Sequence, residues 1–250
     1  MAVVWQQTLK GVNYQVRSAG ATRRLYTDGV YHSQYNPNSP VGGSVWDLLM
    51  LPAFFHAGDR LKRILVLGVG GGAVIRQLDH FFEPETIVGV ELNPVHIKVA
   101  KRFFGVKGKH IQLLQADAIA WLKAYRGPKF DLIIDDLFGE VDGEPERVIE
   151  ADPHWFKHLT RPLAKDGTLV INFDTPAGLK TCAWYTDKAS HLSFNQAYQF
   201  STPLYHNCIG AFTRQATDSK GFEANLQCYK ELDRRRNSCR LTARWRKLRL

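Results

Sequence analysis

A glycine-rich turn followed at a set distance by an acid is the feature of this sequence best suited to chemistry. An apolar run leads into Gly68, Gly70 and Gly72, and the next apolar run ends at Glu91. Glycines let a backbone approach a ligand closely, and a carboxylate at the tip of the next strand can hold both ribose hydroxyls. The spacing predicts a site for a nucleoside-containing ligand, although a tight strand-to-helix turn also uses glycine for packing alone.

Acids also follow the next two predicted strands. Asp117 comes directly after one of them, and Asp135 and Asp136 end the other. Ligands of open parallel sheets bind at the carboxyl ends of the strands, which favours a shared functional site for these acids. The alternatives are that Asp117 only caps the helix beginning at Ala118, and that Asp135 and Asp136 are solvated loop residues.

The elements that must position these residues alternate between strand and helix. Strands are predicted at 64–67, 86–90, 111–114, 131–135 and 168–173, with helices near 73–82, 94–104, 118–125 and 152–163. Two further strands, at 196–201 and 208–213, close one edge as a hairpin. This alternation predicts an α/β fold with a Rossmann-like, doubly wound, mostly parallel seven-stranded sheet.

The two ends of the chain differ from this pattern. Short strands over 12–35, with a hairpin turn at Asp28-Gly29, predict a small N-terminal β-hairpin module at 1–43. The α/β domain then occupies 44–216, and a basic tail, predicted to be helical, occupies 217–250. In the tail Leu241, Trp245 and Leu248 recur at helical spacing.

Charge is concentrated in that tail. The chain has a net charge of +9, and residues 229–250 carry nine Lys or Arg against two acids. We interpret the tail as a solvated helix, with docking on the body of the protein or on a partner, RNA binding, or contact with an anionic membrane as alternatives. The four cysteines form no C-x-x-C pair and no long apolar run occurs, so we expect a cytoplasmic protein without disulfides.

The order of these motifs resembles the class I S-adenosylmethionine-dependent transferases, and most closely the spermidine synthase family, over about residues 14–213. The matching segments are Leu25-Tyr26-Thr27-Asp28-Gly29-Val30, Val90-Glu91-Leu92-Asn93, Ala116-Asp117-Ala118, Ile133-Ile134-Asp135-Asp136 and Leu163-Ala164-Lys165-Asp166-Gly167-Thr168-Leu169. The resemblance identifies 44–216 as a class I methyltransferase-like, spermidine synthase-like domain.

The resemblance also implies roles for individual residues. Glu91 would hold the ribose with the glycine-rich turn, while Asp117 and Ala118 would bind the adenine. Asp135 and Asp136 would be catalytic, accepting a proton from an incoming amine. The residues implied in binding that amine are Gln34, Asp47 and Tyr205. The implied co-substrate is decarboxylated S-adenosylmethionine or S-adenosylmethionine itself, with no metal, and the family implies a homodimer.

Several positions depart from the family pattern. Gly71 stands where an aspartate usually pairs with the donor's ammonium group, and His32 stands where a glutamine is expected. Asp47 ends a Val-Trp-Asp segment in place of tyrosine-histidine-glutamate. The loop after the fourth strand lacks the usual serine and proline, yet it is rich in acids: Asp135, Asp136, Glu140, Asp142, Glu144 and Glu146. Such a cluster could attract a cationic amine, or it could be an ordinary solvated loop.

Three functional hypotheses follow. The first is an aminopropyltransferase that acts on a small polyamine-type amine. The second is a methyltransferase that uses S-adenosylmethionine on an unknown small acceptor, which Gly71 favours. The third is a non-catalytic binding module acting through the basic tail. We expect no metal site at His154 and His158, because no third ligand is evident.

Overall fold

The computed structural model describes residues 1–56, 60–141 and 144–249. The chain begins with four antiparallel strands paired in sequence order: β1 (Ala2–Leu9), β2 (Val12–Ala19), β3 (Thr22–Thr27) and β4 (Val30–Tyr35). The predicted hairpin turn between β3 and β4 is confirmed, since Asp28 and Gly29 have φ of 47° and 89°. The sequence did not predict β1, because this strand is largely exposed and has no alternating apolar face.

Ten further strands follow: β5 (Arg63–Leu67), β6 (Thr86–Glu91), β7 (Ile111–Gln115), β8 (Phe130–Asp135), β9 (Phe138–Val141), β10 (Glu144–Arg147), β11 (Leu163–Phe173), β12 (Gln196–Ser201), β13 (Cys208–Thr213) and β14 (Arg244–Lys247). Eight of them form the central sheet in the order β14-β12-β13-β11-β8-β5-β6-β7. The five strands from β11 to β7 are parallel. The predicted mostly parallel, doubly wound sheet is therefore confirmed.

Helices cover both faces of this sheet: α1 (Val45–Met50), α2 (Ala73–Phe82), α3 (Pro94–Phe103), α4 (Ala118–Ala124), α5 (Pro153–Thr160), α6 (Pro176–Thr181), α7 (Ala183–Thr186), α8 (Lys188–Leu192) and α9 (Ser219–Gln227). A 3-10 turn at Leu51–Phe55 follows α1. The apolar residues of β5 are fully buried because both faces of a parallel sheet are covered.

The core is split by the sheet into two clusters. One contains the inward side chains of α2 and α3 together with residues of the N-terminal sheet, including Tyr14, Val16 and Leu25. The other contains those of α4, α5, α6 and α7. The N-terminal sheet therefore packs directly on the α/β domain, which places β4 beside the glycine-rich turn.

The tail contradicts the helical prediction made for Leu241, Trp245 and Leu248. After α9, residues 244–247 form β14, which pairs with β12 and adds an eighth strand to the predicted seven. Leu241, Ala243 and Trp245 pack in one core cluster, while Leu248 packs in the other. Leu241, Ala243 and Trp245 alternate with outward-facing residues, a period of two that is typical of a strand. The helical spacing of Leu241, Trp245 and Leu248 obscured this pattern in the sequence.

No helix in the described ranges is long and apolar enough to cross a lipid bilayer.

Candidate active site

The glycine-rich turn lies between β5 and α2 and requires glycine at three positions. Gly68, Gly70 and Gly72 have φ of 82°, 52° and 81°, a region that side chains rarely adopt. A Cβ atom at Gly68 would lie 2.1 Å from the carbonyl oxygen of Asp136. The turn is therefore held tightly against the loop that follows β8.

Glu91, at the end of β6, braces this turn. Its Oε2 accepts hydrogen bonds from the backbone N–H groups of Val69 and Gly70 at 3.0 and 2.9 Å. Its Oε1 accepts one from the N–H of Asn93 at 2.8 Å. A carboxylate offers about four acceptor positions, so these three bonds leave capacity for one ligand hydroxyl. The role of Glu91 in holding a ribose stays a prediction.

Two histidines lie beside Glu91 and were not predicted to act together. The Nδ1 atom of His96 is 3.8 Å from Glu91 Oε1, and its Nε2 is 2.9 Å from the hydroxyl of Thr27. The ring of His32, on β4, lies 4.9 Å from that of His96. Burial lowers the pKa of both His32 and His96 to about 4, so both are neutral at pH 7.

His32 also carries an unused polar atom at this place. Its Nε2 is buried and makes no hydrogen bond with any residue that the structure describes. A buried polar atom without a partner is costly, so a ligand hydroxyl would be a favourable neighbour. The position of His96 beside Glu91 could have been predicted from the sequence, because His96 lies in the first turn of the helix that follows Glu91.

Gly71 is closed off by packing. A Cβ atom there would lie 2.7 Å from the Cβ of Ser33 and 2.8 Å from the ring of Phe104. The position where the family pattern has an acid therefore has no room for a side chain, because β4 and the end of α3 fill the space.

Asp117 lies on the same edge of the sheet as Glu91. Its Oδ1 accepts a hydrogen bond from the N–H of Ala120 at 2.8 Å, which caps α4. The side chain is otherwise exposed, and Ala118 beside it is buried. The capping role is thus present, and the contact of Asp117 with an adenine amino group stays a prediction.

Asp135 and Asp136 have different surroundings, since consecutive residues at the end of a strand point to opposite sides. Asp135 is fully buried. Its Oδ2 accepts hydrogen bonds from Arg147 Nη2 and Trp155 Nε1, each at 2.9 Å. This geometry is that of a structural ion pair, which argues against the role of base that the sequence suggested for Asp135.

Asp136 is partly exposed at the carboxyl edge of the sheet, beside the glycine-rich turn. Its Oδ1 accepts a hydrogen bond from Asn172 Nδ2 at 2.7 Å. Burial raises the pKa of Asp136 to about 6, against the lowering effect of Asn172. A carboxylate with this pKa can both accept and release a proton near neutral pH. Asn172, on β11, was missed because a buried asparagine inside an apolar strand carries no motif.

Of the residues implied in binding an amine acceptor, Tyr205 and Gln34 lie close to residues of the N-terminal sheet. Asn207 donates to Asn172 Oδ1 at 3.1 Å, which links the segment before β13 to Asp136. Tyr205, two residues earlier, lies close enough to Tyr31 to help raise the pKa of that phenol, mainly a result of burial. Gln34 is held by Arg24, whose Nε donates to its Oε1 at 2.5 Å.

Asp47 is used inside the protein. Its Oδ2 accepts from the N–H groups of Gly42, Gly43 and Ser44 at 3.2, 2.7 and 3.1 Å. Its Oδ1 accepts from Gln77 Nε2 at 2.6 Å. These bonds hold the loop before α1 and account for Asp47 without a substrate, so its binding role stays a prediction.

The acidic loop forms the hairpin β9–β10. Asp142 lies outside the described residues. Arg147 ends the hairpin and donates to Asp135, to the carbonyl oxygen of Ile149 and to that of Asn172. The hairpin is therefore fastened to the same sheet edge as Asp136.

No group of three or more potential metal ligands is found within the described part of the chain. His154 and His158 are adjacent, with their Nε2 atoms 3.1 Å apart, and form a pair only. All four cysteines have free thiols.

Comparison with known proteins relates this geometry to a family. The family model described as "Spermine/spermidine synthase domain" matches residues 47–225. A polyamine aminopropyltransferase 2 of Caldanaerobacter subterraneus is 27% identical over 50% of this chain and 42% of its own length. A polyamine aminopropyltransferase of Chromobacterium violaceum is 29% identical over 48% of this chain and 45% of its own. The chain thus spans about half the length of the curated relatives it matches.

Solved structures share the fold at low identity. A probable spermidine synthase of Corynebacterium glutamicum superposes with a TM-score of 0.72 at 16% identity, covering 98% of this chain and 91% of that one. Human methyltransferase-like protein 13, solved in complex with SAH, gives 0.61 at 17% identity, covering 76% and 92%. Because the family model covers most of the chain, this protein belongs to the spermine/spermidine synthase family.

Proposed function

We propose that this protein transfers an aminopropyl group from decarboxylated S-adenosylmethionine to a small polyamine-type amine. The observation that carries the proposal is the position of Asp136, a carboxylate of raised pKa beside the glycine-rich turn that Glu91 braces. Membership of the family and the polyamine aminopropyltransferases among its relatives support the same reaction.

The donor would bind along the carboxyl edge of β5 and β6. The glycine-rich turn would lie against the donor. Glu91 and the Nε2 atom of His32 would hold the ribose, and Asp117 would hold the adenine amino group. The donor supplies a carbon activated by a positively charged sulfur. The protein's part is alignment and exclusion of water, because the thioether leaving group needs no protonation.

Asp136 would act on the acceptor. The amine nitrogen forms a bond to the activated carbon as the carbon–sulfur bond breaks, and the nitrogen then carries an additional proton. An amine arrives protonated at neutral pH, so a base must free its lone pair before attack. Asp136, which accepts a hydrogen bond from Asn172, would accept that proton, and Tyr205 and Gln34 would contact the acceptor.

Methyl transfer from S-adenosylmethionine is the second candidate, and the closed space at Gly71 favours it. An aminopropyl donor ends in an ammonium group, and no acid can stand at Gly71 to pair with it. The acidic hairpin would have to supply the compensating charge instead.

The cytoplasmic location and the homodimer remain predictions from the sequence.

Incubation with putrescine and either donor tests the proposal. We expect decarboxylated S-adenosylmethionine to be converted to its thioether nucleoside together with an aminopropylated amine, identified by mass spectrometry. The variant Glu223→Gln, at an exposed position on α9, should keep this activity. Methylated products formed only from S-adenosylmethionine would replace the proposal with the second candidate.

A further inference from the structure

The outer edge of the central sheet carries a dense positive surface. We define the C-terminal basic surface as the exposed side chains of Arg240, Arg244, Arg246, Lys247 and Arg249. It surrounds β14, which is the terminal strand of the sheet. The donor and acceptor residues described above do not include any of these side chains.

The apolar residues of the same segment are not available to a partner. Leu241, Ala243 and Leu248 are buried against the body of the protein. Trp245 packs on Phe222 of α9, with ring centroids 5.1 Å apart. A peripheral membrane helix needs an exposed apolar face, and here that face is already covered. Over residues 240–249 the exposed side chains are the cations of the C-terminal basic surface and Thr242, and Trp245 is partly exposed.

These cations also lack internal counter-charges. Asp233, one of two acids in the tail, is paired with Arg235 and Arg236 at 2.8 and 3.4 Å. Among the described residues, no carboxylate forms an ion pair with a member of the C-terminal basic surface; Arg246 instead donates to the amide oxygen of Gln199. A cluster of unpaired guanidinium groups attracts a polyanion strongly.

The geometry suits phosphates. Side chains two residues apart on a strand are separated by roughly 6.8 Å, which is close to the separation of consecutive phosphates along one nucleic-acid strand. Arg244 and Arg246 have this spacing, and Arg234, Thr242 and Arg244 line a cleft beside them. Guanidinium groups form paired hydrogen bonds with phosphates and with carboxylates alike. A nucleic-acid backbone is the better match here because its phosphates repeat at a regular spacing. We propose that the C-terminal basic surface docks the phosphate backbone of a nucleic acid without sequence preference.

Fluorescence anisotropy with a labelled oligouridylate of about 16 nucleotides tests this inference. The wild-type protein should bind, with an affinity that falls steeply between about 50 and 200 mM KCl. The variant Arg240→Gln/Arg244→Gln/Lys247→Gln/Arg249→Gln keeps Arg246 on Gln199 and all the buried apolar contacts. We expect its affinity to be lower by a factor of about ten or more. The slope of log affinity against log salt should fall by about 0.7 for each lost contact.

The matched control removes the same charge elsewhere, at four exposed lysines: Lys101→Gln/Lys107→Gln/Lys109→Gln/Lys123→Gln. It should bind like the wild type, and both variants should unfold at the wild-type temperature. Equal losses in the two variants would overturn the inference, since attraction would then come from net charge. Polyglutamate competing as well as RNA, or preferred binding to anionic vesicles, would overturn it in favour of another partner.

Discussion

At the scale of single residues, the two neighbouring acids at the end of β8 should respond oppositely to removal of their charge. Asp136→Asn should lower turnover by about 10²-fold or more, because the base is lost. It should also stabilise the fold at pH 7, since a folded pKa of about 6 against 3.8 means that the ionised form is disfavoured in the native state. Steady-state rates and urea unfolding at pH 7 measure both effects.

Asp135→Asn provides the comparison. It would leave the guanidinium of Arg147 buried without its counter-charge, so we expect a loss of about 3–5 kcal/mol in the free energy of unfolding. Turnover per folded molecule should fall much less than in Asp136→Asn. Full turnover in Asp136→Asn together with inactive but folded Asp135→Asn would reverse the two roles.

Gly71 yields a second prediction at this scale. Gly71→Asp restores the acid of the family pattern but forces a side chain into Ser33 and Phe104, so it should destabilise the fold by about 1–3 kcal/mol. It should not increase affinity for decarboxylated S-adenosylmethionine. Gly42→Asp, where a Cβ would meet only Gln34 Nε2 at 3.7 Å, is the steric control. Tighter donor binding with unchanged stability would show that the space is open.

At the scale of elements, the sequence was informative where apolar periodicity and turn chemistry agree. The runs leading to Gly68 and Glu91 are continuous because parallel strands are buried on both faces. The same reasoning could not separate Asp135 from Asp136, because the decisive partners, Arg147 and Trp155, come from a hairpin and a helix that only the tertiary fold brings together. Likewise, a motif alone does not reveal that β4 fills the space at Gly71.

The edge strand β14 gives a prediction at the element scale. Trp245 packs on α9, so Trp245→Ala should reduce the free energy of unfolding by about 2–3 kcal/mol, less than a fully buried tryptophan because this one is partly exposed. Arg249→Ala, which removes an exposed side chain from the same segment, should change it by less than about 0.5 kcal/mol. Equal stability of both variants in urea would mean that the tail is not docked on the sheet.

At the scale of the whole molecule, stability should fall in acid. The pKa values of His32, His56 and His96 are lowered from 6.5 to about 4 by burial, so their contribution is present above pH 6.5 and lost as pH falls toward 4. Asp136 opposes this trend, because its raised pKa lets the folded state bind one proton more in the same range.

Unfolding between about pH 4.5 and 6 therefore takes up a net of about two protons. The free energy of unfolding should fall by roughly 2–3 kcal/mol for each unit by which the pH is lowered. Urea unfolding across this range measures the slope. The variant His56→Gln, far from the donor site but bonded to Thr168, should reduce the slope by about one proton. A flat profile would contradict the assignment of three buried neutral histidines.

Binding of the donor is the central claim, and calorimetric titration with the two donor forms tests it most directly. We predict that decarboxylated S-adenosylmethionine binds more tightly than S-adenosylmethionine. We also predict that Glu91→Gln weakens binding of both, because that carboxylate braces the glycine-rich turn and is the group proposed to hold the ribose. Preference for S-adenosylmethionine, or no binding of either form, would contradict the account of this protein as an aminopropyltransferase.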